Sequence, residues 1–426
     1  MGPTIILDKS CIQSLSGQEI EFLYRYYTLN IPPILISEIL GDLMKPDKLG
    51  ALSGDEVIKL SNKLFQTNSA VSAHYRLLII NSLMGQSVKM DGRPHVQGKP
   101  VQEPDGKRGF LMEESIEEKA IHRWRKGLFS EAEAILSERW RESTKQVNLN
   151  QLKETYRIVE IHIPETDTFP QLVNNIDKLL LNPTPKFQSQ LLTKLLHEFL
   201  IDQDDASKIF HRWEQGSFSS LKDFAPYAFY CFRVTLAFYL GLIRNFVTPR
   251  ATNRLDLEYV YYLPFSFAFS SCDNFHQTFI PAFLHEDQSF VSGSILKDDL
   301  HKIVDQYHSL NPEQQSEWLK KNGRRPPDQE ESITFKLWQK YIKPKEWIIQ
   351  SPEHSVRSNT VKNNSTNNIM ERFENLKPMD NTLENGDESN IDFIVRTRTI
   401  STQDPCPCGS GKKFKDCHLN PESKQK

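Results

Sequence analysis

Near its C-terminal end the 426-residue chain reads DPCPCGSGKKFKDCHLN, with three of its six cysteines and a histidine crowded into one short stretch. A structural zinc site takes four soft or borderline ligands in a tetrahedron, and Cys406, Cys408, Cys417 and His418 supply three sulfurs and a nitrogen. Gly409-Ser410-Gly411 offers the tight turn that would bring the two ligand pairs together. GSGKK lacks the spacing of a phosphate-binding loop and no strand precedes it, so nucleotide binding is excluded there. A second group of residues is dispersed. Asp8 follows the aliphatic run TIIL, Glu38 follows PPILIS, Asp256 lies in LDLEYVYYLP, and Asp273 follows SFAFSSC. Hydrolysis of a phosphodiester needs a divalent cation to orient water and neutralise the leaving oxygen, and three or four carboxylates hold Mg²⁺ or Mn²⁺ for that work. These four acids are expected to meet on one metal-binding face, although each alone has an ordinary role as a turn, first-turn or capping residue.

The elements that must position them alternate in type. Residues 4–7 read as a strand and 17–27 as an amphipathic helix. Pro32-Pro33 then starts an extended Ile34-Leu35-Ile36, after which Ser37 is expected to cap a helix holding Glu38 and Asp42. Asn253 is expected to cap a helix with Asp256 in its first turn, Pro264 to end it, and 265–269 to form a buried strand leaving Asp273 at its C-terminal end. In open α/β sheets ligands gather at the C-terminal ends of strands, which is also where Asp8 would sit. A short strand at Phe290-Val291 and a helix after Gly293 follow. Between the two acid pairs, 53–84 reads as helical, and most of 113–210 carries apolar residues at helical spacing. The segment 86–109 is rich in Gly, Pro and cations and reads as a long loop. Its Lys89, Arg93, Lys99, Lys107 and Arg108 are candidate phosphate contacts, with a solvated surface loop as the equal alternative. Trp124 and Trp140 sit among arginines and could stack bases, but aromatics at this spacing belong more often to a core.

Composition bounds the rest. The length implies two or more units, and 38% hydrophobic with 25% charged residues is ordinary globular composition. A net charge of −3 excludes a globally basic nucleic-acid binder, so such contacts must be local. Residues 225–243 approach the length of a membrane span but carry Arg233 near their centre, which indicates a buried core helix. The N-terminus shows no basic region followed by an apolar run and a cleavage site, so a cytoplasmic protein is expected, in which clustered cysteines indicate metal rather than disulfides. Cys11, Cys231 and Cys272 read as isolated packing thiols. Residues 351–400, poor in aromatics, read as a flexible linker. No G-x-S-x-G, G-x-G-x-x-G or H-E-x-x-H pattern supports other chemistries. His276 could contact a phosphate, though a helix-surface position is the more ordinary one.

Two resemblances add to this reading. The tail resembles the SEC-C motif, the small zinc module of the C-terminus of the translocase ATPase SecA, through its C-x-C-G-S-G-K-K-aromatic-K-x-C-H pattern. That resemblance implies bound zinc and docking on a protein partner or the ribosome. The order of the acids resembles the PIN nuclease domain, with an Asp ending the first strand, a Glu on an early helix, an Asp opening a late helix, and a Ser/Thr-x-Asp after the following strand. It implies that Asp8, Glu38, Asp256 and Asp273 are metal ligands supported by Ser271, and that RNA rather than DNA is cut.

The expected fold class is therefore α/β: a PIN-like, mostly parallel sheet with a large α-helical insertion and a small C-terminal zinc module. Its parts are 1–50 and 245–350 as the two PIN-like pieces, 51–244 as the insertion, 351–400 as the linker and 401–426 as the zinc module. The expected function is a metal-dependent nuclease with a docking tail. The alternative is a non-catalytic adaptor that docks on ribosomes or secretion factors.

Overall fold

A computed structural model describes residues 2–46, 54–64, 68–96, 98–151, 153, 163–342, 377–378, 393–396, 413 and 415. The chain divides into two compact units, residues 1–95 with 121–338, and residues 96–120 with 339–426.

The first unit is built on a five-stranded, wholly parallel sheet. Strands β1 (Thr4–Leu7), β2 (Thr28–Ile31) and β3 (Ser69–Val71) come from the N-terminal part, and β6 (Ala268–Ser271) and β7 (Ser289–Ser292) from the C-terminal part. Their spatial order is β3-β2-β1-β6-β7. The central contact is β1 on β6, in register Ile5↔Ala268, Ile6↔Phe269 and Leu7↔Ser270. All four residues of β1 and of β6 are buried, as expected of central strands in a parallel sheet covered on both faces, and in β6 these include Ser270 and Ser271.

Helices connect the strands. The first, α1 (Lys9–Ser14), starts directly at the end of β1. It is followed by α2 (Gly17–Tyr26), which a reciprocal Ser16–Glu19 capping box begins, and by α3 (Pro33–Leu40) after β2. Next come α4 (Asp55–Leu64) and α5 (Tyr75–Leu83), on either side of β3. The residues separating β3 from β6 carry α6 (Ile116–Trp124), α7 (Glu131–Gln146), α8 (Phe169–Leu180), α9 (Pro185–Glu198), α10 (Gln203–Gln215), α11 (Leu221–Phe224), α12 (Pro226–Ile243) and α13 (Asn253–Val260). After β6 come α14 (Asn274–Phe279), α15 (Gly293–His308), α16 (Pro312–Asn322) and α17 (Ile333–Tyr341).

Among the described residues α12 is the one helix long and apolar enough to cross a membrane, and 83% of that span is buried inside the protein, where it packs on α5 and α8. Its Arg233 is ion-paired with Asp177 of α8 and lies 4.9 Å from the Phe283 ring centroid. A charge within an apolar helix is tolerable when it is paired in this way.

Several expectations are corrected. Ile34-Leu35-Ile36 is helical, because Pro33 occupies the first turn of α3, where a missing N–H costs nothing. The extended segment is the preceding Thr28–Ile31, and Ser37 lies inside the helix instead of capping it. The 53–84 stretch contains strand β3, too short to show a period. Thr252, not Asn253, precedes α13, and the Asn253 side chain instead donates to the Thr248 carbonyl at 2.8 Å. Strand β6 begins at Ala268 because Leu263–Phe265 forms a 3₁₀ turn around Pro264.

In the second unit, β4 (Lys99–Gln102) and β5 (Arg108–Met112) form an antiparallel hairpin within what reads as a long loop. Two strands from the expected linker, β8 (Lys377–Pro378) and β9 (Phe393–Arg396), flank it to give a sheet of order β8-β4-β5-β9. Their single residues alternate too weakly with polar neighbours to stand out by pattern.

One buried side chain ties the first sheet across its strands. Asn30 of β2, fully buried, donates to the Phe265 carbonyl at 3.0 Å and accepts from Ser72 Oγ at 2.7 Å. Replacing Asn30 by Ala leaves both partners unsatisfied and is expected to lower unfolding free energy by about 1–3 kcal/mol in chemical denaturation.

Candidate functional site

The C-terminal ends of β1 and β6 lie side by side, and Asp8 and Ser271 follow from them. Asp8 is the N-cap of α1. Its Oδ1 accepts the Cys11 N–H at 2.8 Å and its carboxylate also takes the Ser10 hydroxyl, 2.9 and 2.8 Å from the two oxygens. Ser271 Oγ donates across to Asp8 Oδ2 at 2.6 Å. That hydroxyl in turn accepts the Asp273 N–H at 2.9 Å and His276 Nδ1 at 3.0 Å, while His276 Nε2 faces the Asp256 carbonyl at 2.9 Å. With an acceptor on each ring nitrogen, His276 is held as a doubly protonated imidazolium, 3.4 Å from Asp8 Oδ2.

His276 is fully buried and boxed by the rings of Tyr259, Phe269 and Phe275. The expected helix-surface or phosphate-contacting histidine is therefore an internal counter-charge. Burial disfavours its cation, but Asp8 and the Asp256 carboxyl and carbonyl outweigh this and raise its pKa to about 9. Reciprocally, burial pushes Asp8 up, yet His276, Ser271 and the Cys11 N–H together hold it below the ordinary carboxylate value.

The other acids arrive from different elements. Glu38, on α3, is raised by burial; it accepts a hydrogen bond from the Tyr259 hydroxyl. Lys9, ion-paired with Asp42 at 2.6 Å, donates to the Glu38 backbone carbonyl at 2.9 Å. Asp256 lies in the first turn of α13, one turn before Tyr259, so both project from one side of that helix. Desolvation raises its pKa to about 7, with the carboxylates of Glu38, Asp273 and Asp8 adding repulsion against the opposing pull of His276. Asp273 caps α14, accepting the Phe275 N–H at 2.7 Å.

The four acids thus lie close enough to act on one another through Asp256. Among the described residues, however, no three His, Cys, Asp or Glu side chains are gathered tightly enough to hold a metal ion, since Asp8, Glu38 and Asp273 are each turned onto protein donors. No described donor hydrogen-bonds the Asp256 carboxylate. Carboxylate oxygens such as those of Asp8, Glu38, Asp256 and Asp273 are hard donors of the type that bind Mg²⁺ or Mn²⁺, although the described side chains are not gathered around one point.

The candidate phosphate-contacting cations are engaged with acids or other groups. Arg93 pairs with Asp91, Lys99 with Glu113 at 2.8 Å and Lys107 with Asp105, while Lys89 and Arg108 also have partners. Lys89 and Arg93 belong to the first unit and the other three to the second. Trp124 lies in the core, and the Trp140 indole packs against Gly41. Sequence reading named His276 from its position three residues after Asp273 but missed its buried place beside Asp8. It also missed the proximity of Cys11 and Cys272. The Cys272 thiol is lowered to about 6, first by the neighbouring Cys11 thiol.

The proposed zinc ligands Cys406, Cys408, Cys417 and His418 lie outside the described residues. Comparison with known proteins bears on them directly. Residues 404–420 match the SEC-C motif. Protein translocase subunit SecA of Finegoldia magna is 34% identical over 71 residues, a match covering 16% of this chain and 8% of that protein's length. No solved structure matches the chain.

Two outcomes follow from this geometry. A histidine whose folded pKa lies above its unfolded value of 6.5 contributes stability that is complete below pH 6.5 and is lost as pH rises through about 9. Unfolding free energy is therefore expected to fall by up to about 3 kcal/mol across that window. His276→Gln, measured by denaturant titration at several pH values, should flatten the decline and lose most stability at the acid end. In the tail, elemental analysis should find equimolar zinc, and Cys406→Ser with Cys408→Ser should abolish it.

Proposed function

We propose that the first unit is a metal-dependent nuclease of PIN-like type, cutting RNA in preference to DNA, and that the SEC-C tail is a zinc-binding docking module. The observation that carries the nuclease reading is the meeting of the β1 and β6 ends, where Ser271 Oγ bonds Asp8 Oδ2 at 2.6 Å and Asp273 caps the next helix, with the Glu38 carboxylate reached through Tyr259 of the helix that carries Asp256. Burying like charges near one another costs stability, and functional sites are where such costs are retained. The parallel sheet of order β3-β2-β1-β6-β7 supports the same reading, because it brings the ends of β1 and β6 together at its centre, the arrangement in which open α/β sheets bind ligands.

In this mechanism Asp8, Glu38, Asp256 and Asp273 would hold Mg²⁺ or Mn²⁺. Such a cation supplies neutralisation of the phosphate charge and a more acidic water. The chain's own residues do the remaining work. His276 and Ser271 fix the Asp8 carboxylate from behind and Tyr259 fixes Glu38, so that both keep their orientation without solvent. Asp256, whose carboxylate has no donor among the described residues, is the acid left open to an attacking water. The tail's match to SEC-C and to SecA supports docking on a protein partner or the ribosome, and a cytoplasmic location suits both roles. If the body proves inert, the tail leaves the chain an adaptor.

Mn²⁺-dependent cleavage of labelled single-stranded RNA is expected for the wild type and at least about a hundredfold less for Asp8→Asn and for Asp256→Asn. Equal rates in all three would sink the site. Asp256→Asn should also raise the melting temperature at pH 8, where the wild-type carboxylate is ionised in both states, with the difference shrinking as pH falls through the folded value of about 7 and vanishing only below about pH 3, where the carboxyl is protonated folded and unfolded. Calorimetric Mn²⁺ binding should weaken in the same variants.

A further inference from the structure

Cys11 and Cys272 are far apart in the chain but adjacent in the fold. Cys11 is in the first turn of α1, directly after the Asp8 cap, and Cys272 follows β6 at the next corner of the sheet. The β1–β6 register sets the two corners side by side, and Cys272 lies against α1 through Ser10 and Ser14, the residues flanking Cys11 on that helix.

Their surroundings orient them. Cys11 is fully buried, with Sγ 3.6 Å from Ser270 Oγ. Cys272 is half-buried, its backbone N–H donating to Ser10 Oγ at 3.1 Å and its Sγ 3.9 Å from Ser14 Oγ. Ser14 Oγ also donates to the Cys11 carbonyl at 2.7 Å, so one hydroxyl braces both residues. On the other side, Gly293 opens α15. A Cβ there would collide with Cys272 Sγ, so this glycine leaves the space the sulfur occupies. Both thiols are reduced in the structure.

We propose that Cys11 and Cys272 form a redox-modification site, a dithiol that peroxide closes into a disulfide bridging the α1 and α14 corners of the sheet. Cys272, the thiol with solvent access, attacks one oxygen of hydrogen peroxide. The O–O bond breaks, leaving a sulfenic acid on Cys272 and releasing water. The Cys11 thiol then displaces the sulfenic hydroxyl as a second water, and the S–S bond forms. The two thiols give up two hydrogens and two electrons, and the peroxide takes them up as two waters.

The bridge would form within the corner that carries Asp8, Ser271 and Asp273. Cys11 N–H caps Asp8, and the Cys272 N–H is bonded to Ser10, whose hydroxyl also binds Asp8. Drawing the sulfurs to bonding distance shifts both turns, so oxidation is expected to inactivate the carboxylate cluster reversibly. This consequence rests on the nuclease reading, whereas the disulfide does not.

The test uses the full-length, zinc-loaded protein treated with hydrogen peroxide, alkylated and digested without reductant. Peptide mapping should find Cys11 joined to Cys272, with the link absent in Cys272→Ser and removed by dithiothreitol. Recovery of Cys272 as sulfinic acid, or of both thiols alkylated, would overturn the proposal. In the RNA-cleavage assay, peroxide should abolish wild-type activity, dithiothreitol should restore it, and Cys272→Ser should resist. A mapped disulfide with no cleavage in any sample would overturn the nuclease reading alone. A mapped disulfide with unchanged cleavage would overturn the regulatory consequence.

Discussion

The Asp8 carboxylate is the point on which the centre of the first unit depends. It ends β1, caps α1, and accepts hydrogen bonds from Ser10, Cys11 and Ser271, with the His276 cation behind it. A buried carboxylate is costly unless paired, and here its pairing joins residues from both ends of the sheet-forming chain. Ser271 acts as relay: its proton goes to Asp8 and its lone pairs take the Asp273 N–H and His276 Nδ1. Directionality of the hydroxyl therefore fixes the orientation of two acids and the protonation of the histidine at once.

Charge balance explains why the cluster survives folding. Asp8 and His276 neutralise one another, and the Tyr259 hydroxyl binds the Glu38 carboxylate. Asp256 has no described donor on its carboxylate, and desolvation with the repulsion of its neighbours raises its pKa to about 7 against the pull of His276. The asymmetry separates three carboxylates held by hydrogen-bond donors from one that has none among the described residues, a difference that environment alone creates.

The strand-end acids were legible from sequence because they follow buried β-branched and aromatic runs, and TIIL and AFSS are strands in the structure. The order of the sheet could not be read from local pattern: β2 and β3 are four and three residues long, and TLNI contains a buried polar Asn30 that breaks any apolar run. Proline misdirected the reading at Ile34, because Pro32-Pro33 signals an extended approach and a helix start equally well. His276 and the thiol pair escaped for a different reason. Their roles depend on β1 meeting β6, a contact across more than half the chain that leaves no trace in residue spacing. The opposite held in the tail, where the candidate cysteines and histidine lie within a single short segment that matches SEC-C.

The register Ile5↔Ala268 has a consequence in time as well as in space. Bringing residues so distant in sequence into a parallel pair means closing a very long loop, and such pairings form late and slowly. During synthesis the N-terminal strands leave the ribosome long before β6 exists, so β1 must wait with one edge open while the intervening helices fold. The Asp8 carboxylate gains its buried cation only when residue 276 has emerged. The chain therefore carries no assembled acidic centre while most of it is still being made.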